Sequence, residues 1–231
     1  YYVYQKSEKT KLWQDSKPYV TQFFQLMNAS FGRYPYPSYS FIQGGDGGME
    51  YGMCTMILGE ATSLDGLLGL MIHEGGHSWN QQILAYNEPM RPWMDEGFTS
   101  FISDFAVNKI MDKKNQEDAN PFQSMYNNYN YMVKMGGEQP LSTHADRFDD
   151  NMNYGISAYT KGAVFITQLA YVIGWDNTFK TLQRFYSDYR FSHPTPNDFK
   201  RTAERVSGAV LDWYLVDWTQ TVNTIDYGIK N

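Results

Sequence analysis

Cysteine is nearly absent. Cys54 is the single one in 231 residues, so no internal disulfide can form and no cysteine-built structural metal site can exist. It lies in an apolar run, where a small buried hydrophobe is its ordinary role, and its solitude leaves the cellular compartment open. Basic charge is also short. Nineteen Lys and Arg stand against 25 Asp and Glu, for a net charge of -6 and a pI near 5.2. The basic residues are scattered rather than gathered into the stripe that phosphate binding requires, which excludes a nucleic-acid partner. No run of about eighteen apolar residues occurs and no charged-then-apolar leader opens the chain, so neither a membrane span nor a signal peptide is expected. Histidine is scarce as well, with four in the chain.

What is present is ample core material, 42% hydrophobic and 17% aromatic, enough for one large domain or two lobes around a cleft. Two of the four histidines fall in His73-Glu74-Gly75-Gly76-His77, and Glu96 follows after eighteen residues in Trp93-Met94-Asp95-Glu96-Gly97-Phe98. On a helix His73 and His77 lie one turn apart and share a face, so both imidazoles can reach one ion while Glu74 stands beside it. Three protein ligands, His73, His77 and Glu96, leave one coordination position open. That is the pattern of a catalytic zinc site rather than a structural one. Such a zinc acidifies a bound water and polarises a carbonyl, and Glu74 is placed to take the water's proton. Spacing alone cannot pick the oxyanion donor out of nineteen tyrosines.

The hydrophobic pattern predicts an α+β fold in which a small N-terminal sheet with helices precedes a mainly helical lobe. A first helix is expected over 17–31, strands over 38–43 and 49–58, and a ligand helix capped by Ser63 or Asp65. Leu67, Leu68, Leu70, Met71 and Ile72 make that helix apolar on nearly every side, so it should cross the middle of the protein. Gly75 and Gly76 between the ligands imply close approach of a neighbouring or substrate backbone. A second ligand helix should begin near Pro92. Residues 112–153 read as loop around one helix near 122–135, and the rest of the chain as helical, with stops at Gly174 and starts at Thr195-Pro196 and Leu211. The division is 1–90 for the sheet and zinc helix and 91–231 for the helical lobe, within one catalytic domain. An alternating tail, Ile225 to Ile229, reads as the start of a strand and implies excision from a longer chain.

Four blocks in order resemble the M1 family of zinc metallopeptidases, the gluzincin aminopeptidases. They are His73-Glu74-x-x-His77-x-Trp79, the eighteen-residue gap, Trp93-x-x-Glu96-Gly97-Phe98, and Tyr159-Thr160-Lys161-Gly162. A fifth, Gly47-Gly48-Met49-Glu50, is similar to that family's exopeptidase motif. The resemblance spans about 16–218 and implies a thermolysin-like catalytic domain that removes N-terminal residues from peptides. It implies zinc as cofactor, Glu50 as the group that holds the substrate's free amine within the Gly47, Gly48, Met49 strand, and Tyr159 as the oxyanion donor. The family's Asn after the motif glutamate is Tyr51 here, and Tyr51 could form part of the wall that the family builds with Asn. The family's preceding β-rich domain and its C-terminal helical domain have no counterpart in these residues, and the first of them supplies a second partner to the amine.

Plainer roles exist for each residue. Tyr159 could be a core tyrosine, Glu50 a solvated charge on an edge strand, and His144 and His193 surface histidines without a partner at ligand spacing. On the same site an endopeptidase or an epoxide-type hydrolase is the rival enzyme, and a peptide-binding domain with little turnover is the rival outside enzymes.

Overall fold

The computed structural model describes residues 1–7, 9–111 and 120–223. A four-stranded sheet, in the order β1-β2-β4-β3, is built from β1 (Tyr2–Val3), β2 (Ser40–Gly44), β3 (Gly48–Tyr51) and β4 (Cys54–Leu58). β1, β2 and β4 run parallel, and β3 returns antiparallel along β4 as an edge strand. The expected strand 49–58 is therefore a hairpin. Its turn is Gly52-Met53, with Met53 at φ 64°, and a two-residue turn keeps the alternation of period two in step, so the pattern reads as one strand.

Helix α1 (Thr10–Ser30) begins seven residues earlier than the pattern predicts and passes through Pro18. A proline inside a helix costs about 3 kcal/mol, and tertiary burial offsets it here. Trp13 is 1% exposed and stacks on Tyr4 at 5.2 Å, which ties down the turns before the proline. Helix α2 (Leu64–His77) is capped by Ser63, whose Oγ accepts from the Gly66 N–H at 3.2 Å. Leu67, Leu68, Met71 and Ile72 on it are fully buried. They divide between two cores: Leu67, Leu68 and Met71 pack under the sheet with Phe41 and Ile57, while Ile72 joins the helical core with Phe23 and Trp79. The ligand helix thus runs through the middle, as its all-round apolarity requires.

The remainder is helical: α3 (Phe98–Ile110), α4 (Gln123–Met135), α5 (Asn151–Gly155), α6 (Gly162–Ile173), α7 (Trp175–Tyr189), α8 (Pro196–Ser207) and α9 (Asp212–Gln220). Thr195 and Asp198 form a reciprocal capping box at the start of α8. The stretch expected as loop after α4 also holds α5, capped by Asp150. Among the described residues three segments are π-helical, Ser78–Ile83, Trp93–Gly97 and Ile156–Lys161, so the second ligand helix and the Tyr159 helix each open with a widened turn. The fold is α+β. The tail 225–229 lies outside the described residues.

Candidate active site

His73 and His77 point the same way from α2, and Glu96 reaches them from the π-helical turn before α3. Their atoms form a triangle: Nε2 to Nε2 is 3.3 Å, and Glu96 Oε2 is 3.3 Å from each. The centre of such a triangle lies about 1.9 Å from every corner, close to the 2.0–2.2 Å of zinc–nitrogen and zinc–oxygen bonds. Each corner offers a lone pair. Asp95 Oδ1 accepts from His77 Nδ1–H at 2.6 Å, which leaves His77 Nε2 bare. Ser103 Oγ donates to the Thr99 carbonyl at 2.8 Å and so can only accept from His73 Nδ1–H, at 3.4 Å. Glu96 Oε2 is buried with no hydrogen-bond partner. With both imidazoles neutral the three lone pairs repel one another; a proton on an imidazole nitrogen relieves this in part and a metal ion among them relieves it fully, so these residues fit a metal ion.

The titration behaviour carries the same message. Burial by itself would raise the Glu96 carboxyl, but the imidazoles of His73 and His77 override it and hold it down at about 2. Burial pulls the His77 imidazole down, and the Asp95 and Glu96 carboxylates more than reverse this, so it lies well above an ordinary histidine. The site draws positive charge to itself. Asp95, 3% exposed, is the residue that the sequence pattern passes over. Its signal was its place beside Glu96 together with the rule that a ligating histidine gives its other N–H to a carboxylate.

Glu74 lies in the same cleft, 5% exposed, with Oε2 buried and unpartnered. Burial pushes its carboxyl up to about 7. The edge strand makes room for it at Gly48, where a β-carbon would lie 2.0 Å from Glu74 Oε1. Gly75 and Gly76 make room for neighbours rather than for substrate: β-carbons there would meet Phe23 of α1 at 2.9 Å and Thr99 of α3 at 3.2 Å. Tyr159 stacks its ring on His73, centroids 5.8 Å apart and planes within 14°. Burial and then the Glu96 charge raise its pKa far above that of a free tyrosine, so its hydroxyl stays a donor. A core tyrosine would not line the cleft, and Tyr159 does.

Glu50 is 7% exposed and turned inward, 3.9 Å from His77 Nδ1, not the solvated edge charge that was its plainer reading. Burial raises its carboxyl. Met49 lines the cleft rim, but Gly47, at φ 24°, does not reach it. Tyr51 alternates to the outer face of β3, 48% exposed, and contributes no wall. Glu88, between the two ligand segments, brings a third carboxylate to within 4.8 Å of Glu50 and Asp95 and accepts from Gln81 Nε2. His144 accepts from the Asp146 N–H, and His193 bonds the Ala85 carbonyl; both are away from the ligand triangle. The cleft has a volume of about 300 Å³.

The chain has relatives in sequence and in fold. Residues 20–218 match the Peptidase family M1 domain. The chain belongs to peptidase family M1. Aminopeptidase A of Gloydius brevicauda is 24% identical over 169 residues, covering 69% of this chain and 17% of that protein. Aminopeptidase M1-B of Oryza sativa subsp. japonica is 23% identical over 203 residues, covering 81% of this chain and 23% of its own. In fold the M1 domain is similar to the M1 zinc metallopeptidase from Deinococcus radiodurans, with a TM-score of 0.72 at 14% identity, over 90% of this chain and 45% of that one. A variant of the Deinococcus enzyme bound to a Tyr-Ser-Ala substrate gives a TM-score of 0.71 at 15% identity, over 89% and 45%. The M1 domain described here thus spans about a fifth of the curated relatives and under half of the solved one. No described helix is long and apolar enough to cross a membrane.

Proposed function

We propose that this M1 domain is the catalytic domain of a zinc-dependent aminopeptidase. The observation that carries this is the ligand triangle of His73, His77 and Glu96 with a buried carboxylate, Glu50, in the same cleft. His73, His77 and Glu96 would hold the zinc, with Asp95 and Ser103 fixing the two imidazoles through their far nitrogens. A bound zinc supplies a Lewis acid with one open position, which polarises the scissile carbonyl and acidifies water.

The chain's own residues do the rest. Glu74 accepts the proton of the attacking water and passes it to the leaving nitrogen. The Tyr159 hydroxyl, kept protonated, donates to the oxygen on which negative charge develops. Glu50 pairs with the substrate's α-ammonium, so the free N-terminus registers the first peptide bond against Glu74. The edge position of β3 suits this, since a strand with one unpaired side can take an extended peptide alongside it. The names of the curated relatives and the tripeptide on the Deinococcus enzyme support peptides as the substrate class. We place the 231 residues in one catalytic domain of a longer protein, whose flanking parts complete the amine site.

The test is a substrate panel on the longest available form of the protein. Peptides with a free amine should be cleaved and their N-acetylated forms should be poor substrates. Glu50→Ala should erase that preference while leaving metal content intact. Equal cleavage of free and blocked peptides by the unaltered protein would reject the exopeptidase reading and leave an endopeptidase.

A further inference from the structure

Lys161 belongs to the Tyr159-Thr160-Lys161-Gly162 block, yet none of the chemistry above uses it. It does not line the cleft. Its side chain is 2% exposed, and Nζ pairs with Glu138, whose side chain is 8% exposed. The Tyr129 hydroxyl donates to the same Glu138 oxygen at 3.1 Å. Removing two charges from water is costly, and a hydrophobic pair of the same volume would often stabilise a fold as well or better. The better-attested use of a buried ion pair is to select one arrangement of the chain over its alternatives.

The arrangement in question is the turn Ile156–Lys161. It is π-helical, a form that is rare because the narrower α-helix competes with it at every residue. Tyr159 stands in this turn two residues before Lys161, stacked on His73. Just beyond Lys161, Gly162 is packed backbone to backbone on Gly97, the residue after Glu96: a β-carbon on Gly97 would lie 2.5 Å from Gly162 Cα. The turn is thus pinned at one end against the Glu96 segment. Within the turn Tyr159 also hydrogen-bonds Glu96, and on the side away from the triangle the polar ties run to α4 and the loop after it, through Ser157 Oγ to Met132 Sδ at 3.7 Å and through Lys161 to Glu138. An α-helical turn winds more tightly than a π-helical one, so a shift of register would change the direction of Tyr159 relative to Gly162, which the packing on Gly97 fixes.

We infer that the Tyr129–Glu138–Lys161 network is a positioning device that holds this turn in π-helical form and so sets where the Tyr159 hydroxyl stands. The inference rests on the reading of Tyr159 as oxyanion donor. Lys161 acts through Tyr159 and touches no substrate.

The experiment is a double-mutant cycle. Lys161→Arg keeps the charge but not the reach, and should lower kcat by about tenfold with KM and zinc content little changed. In a Tyr159→Phe background, itself slower by about a hundredfold, the same substitution should change kcat by less than about twofold, because the group it positions is gone. Equal losses in both backgrounds, or no loss in the first, would overturn the inference. Should Lys161→Arg fail to fold, Tyr129→Phe removes one hydroxyl and is expected to give the same non-additive pattern at smaller size. Amide hydrogen exchange of metal-free protein reads the turn without catalysis: Tyr129→Phe should speed exchange within 156–161 and leave α2 unchanged. If Tyr159→Phe alone proves as fast as the parent, the oxyanion role fails, and the exchange result decides the positioning claim by itself. Unchanged exchange at 156–161 would then refute it.

Discussion

The Glu74 side chain packs directly on the backbone of Gly48, with no side chain of the edge strand between them; a β-carbon on Gly48 would stand 2.0 Å from Glu74 Oε1 and 2.8 Å from Cγ. The glycine of the exopeptidase-like block therefore has a task apart from binding substrate. It makes room for the base.

Gly48→Ala should push the Glu74 carboxylate aside, because the end of a flexible side chain yields before a backbone does. Hydrolysis is expected to fall by at least about tenfold, since an ångström of misplacement can cost that or more. Thermal stability and zinc content should stay near the parent's. Steady-state kinetics beside a melting curve checks this, and an unchanged kcat would mean that Glu74 has room the structure does not indicate.

Glu74→Gln fills the same volume but cannot accept a proton. Zinc should remain bound while turnover nearly vanishes. Metal analysis and a peptide assay on one preparation separate the two effects, and parent-rate cleavage would remove Glu74 from the mechanism.

Asp95→Ala takes away the carboxylate that His77 Nδ1–H reaches at 2.6 Å. Zinc affinity should fall by about 10–100-fold, the usual cost of losing a partner behind a ligating histidine. Competition with a chromophoric chelator measures it. An unaltered affinity would reduce Asp95 to a bystander.

The metal ligands and Glu74 were legible in the sequence because helical spacing fixes which side chains share a face, and α2 keeps that spacing through His77. The place of α2 was legible too, since Leu67, Leu68, Met71 and Ile72 are fully buried, although Leu70 is only half-buried. The hairpin was not, because Gly52-Met53 preserves the alternation of its strands. The early start of α1 was hidden by Pro18, whose local cost is outweighed by the burial of Trp13 in the core under the sheet, among residues distant in sequence such as Phe41 and Leu67. The Lys161–Glu138 pair depends on a three-dimensional neighbour that no spacing rule reaches, since 23 residues separate the two, whereas Asp95 carried a signal in its place beside Glu96.

Gly97→Ala tests how the two halves of the cleft are joined. The added methyl would meet Gly162 Cα and carbonyl carbon at 2.5 and 2.6 Å, both backbone, so the segments carrying Glu96 and Tyr159 must separate. Overpacking of this kind costs about 1–3 kcal/mol, or a fall in Tm of roughly 2–4 °C for each kcal/mol in a chain of this size. Scanning calorimetry reads it, and a Tm equal to the parent's would contradict the crossing described.

The central claim is that hydrolysis depends on one zinc held by His73, His77 and Glu96. Its most direct test is to strip the protein with a chelator and titrate zinc back while following cleavage of a peptide with a free amine. Activity should be absent at the start, rise in proportion to added metal and break at about one zinc per chain. The Glu96→Ala variant should not recover over the same range. Undiminished activity in the stripped protein, or full recovery by Glu96→Ala with the same break, would contradict the account.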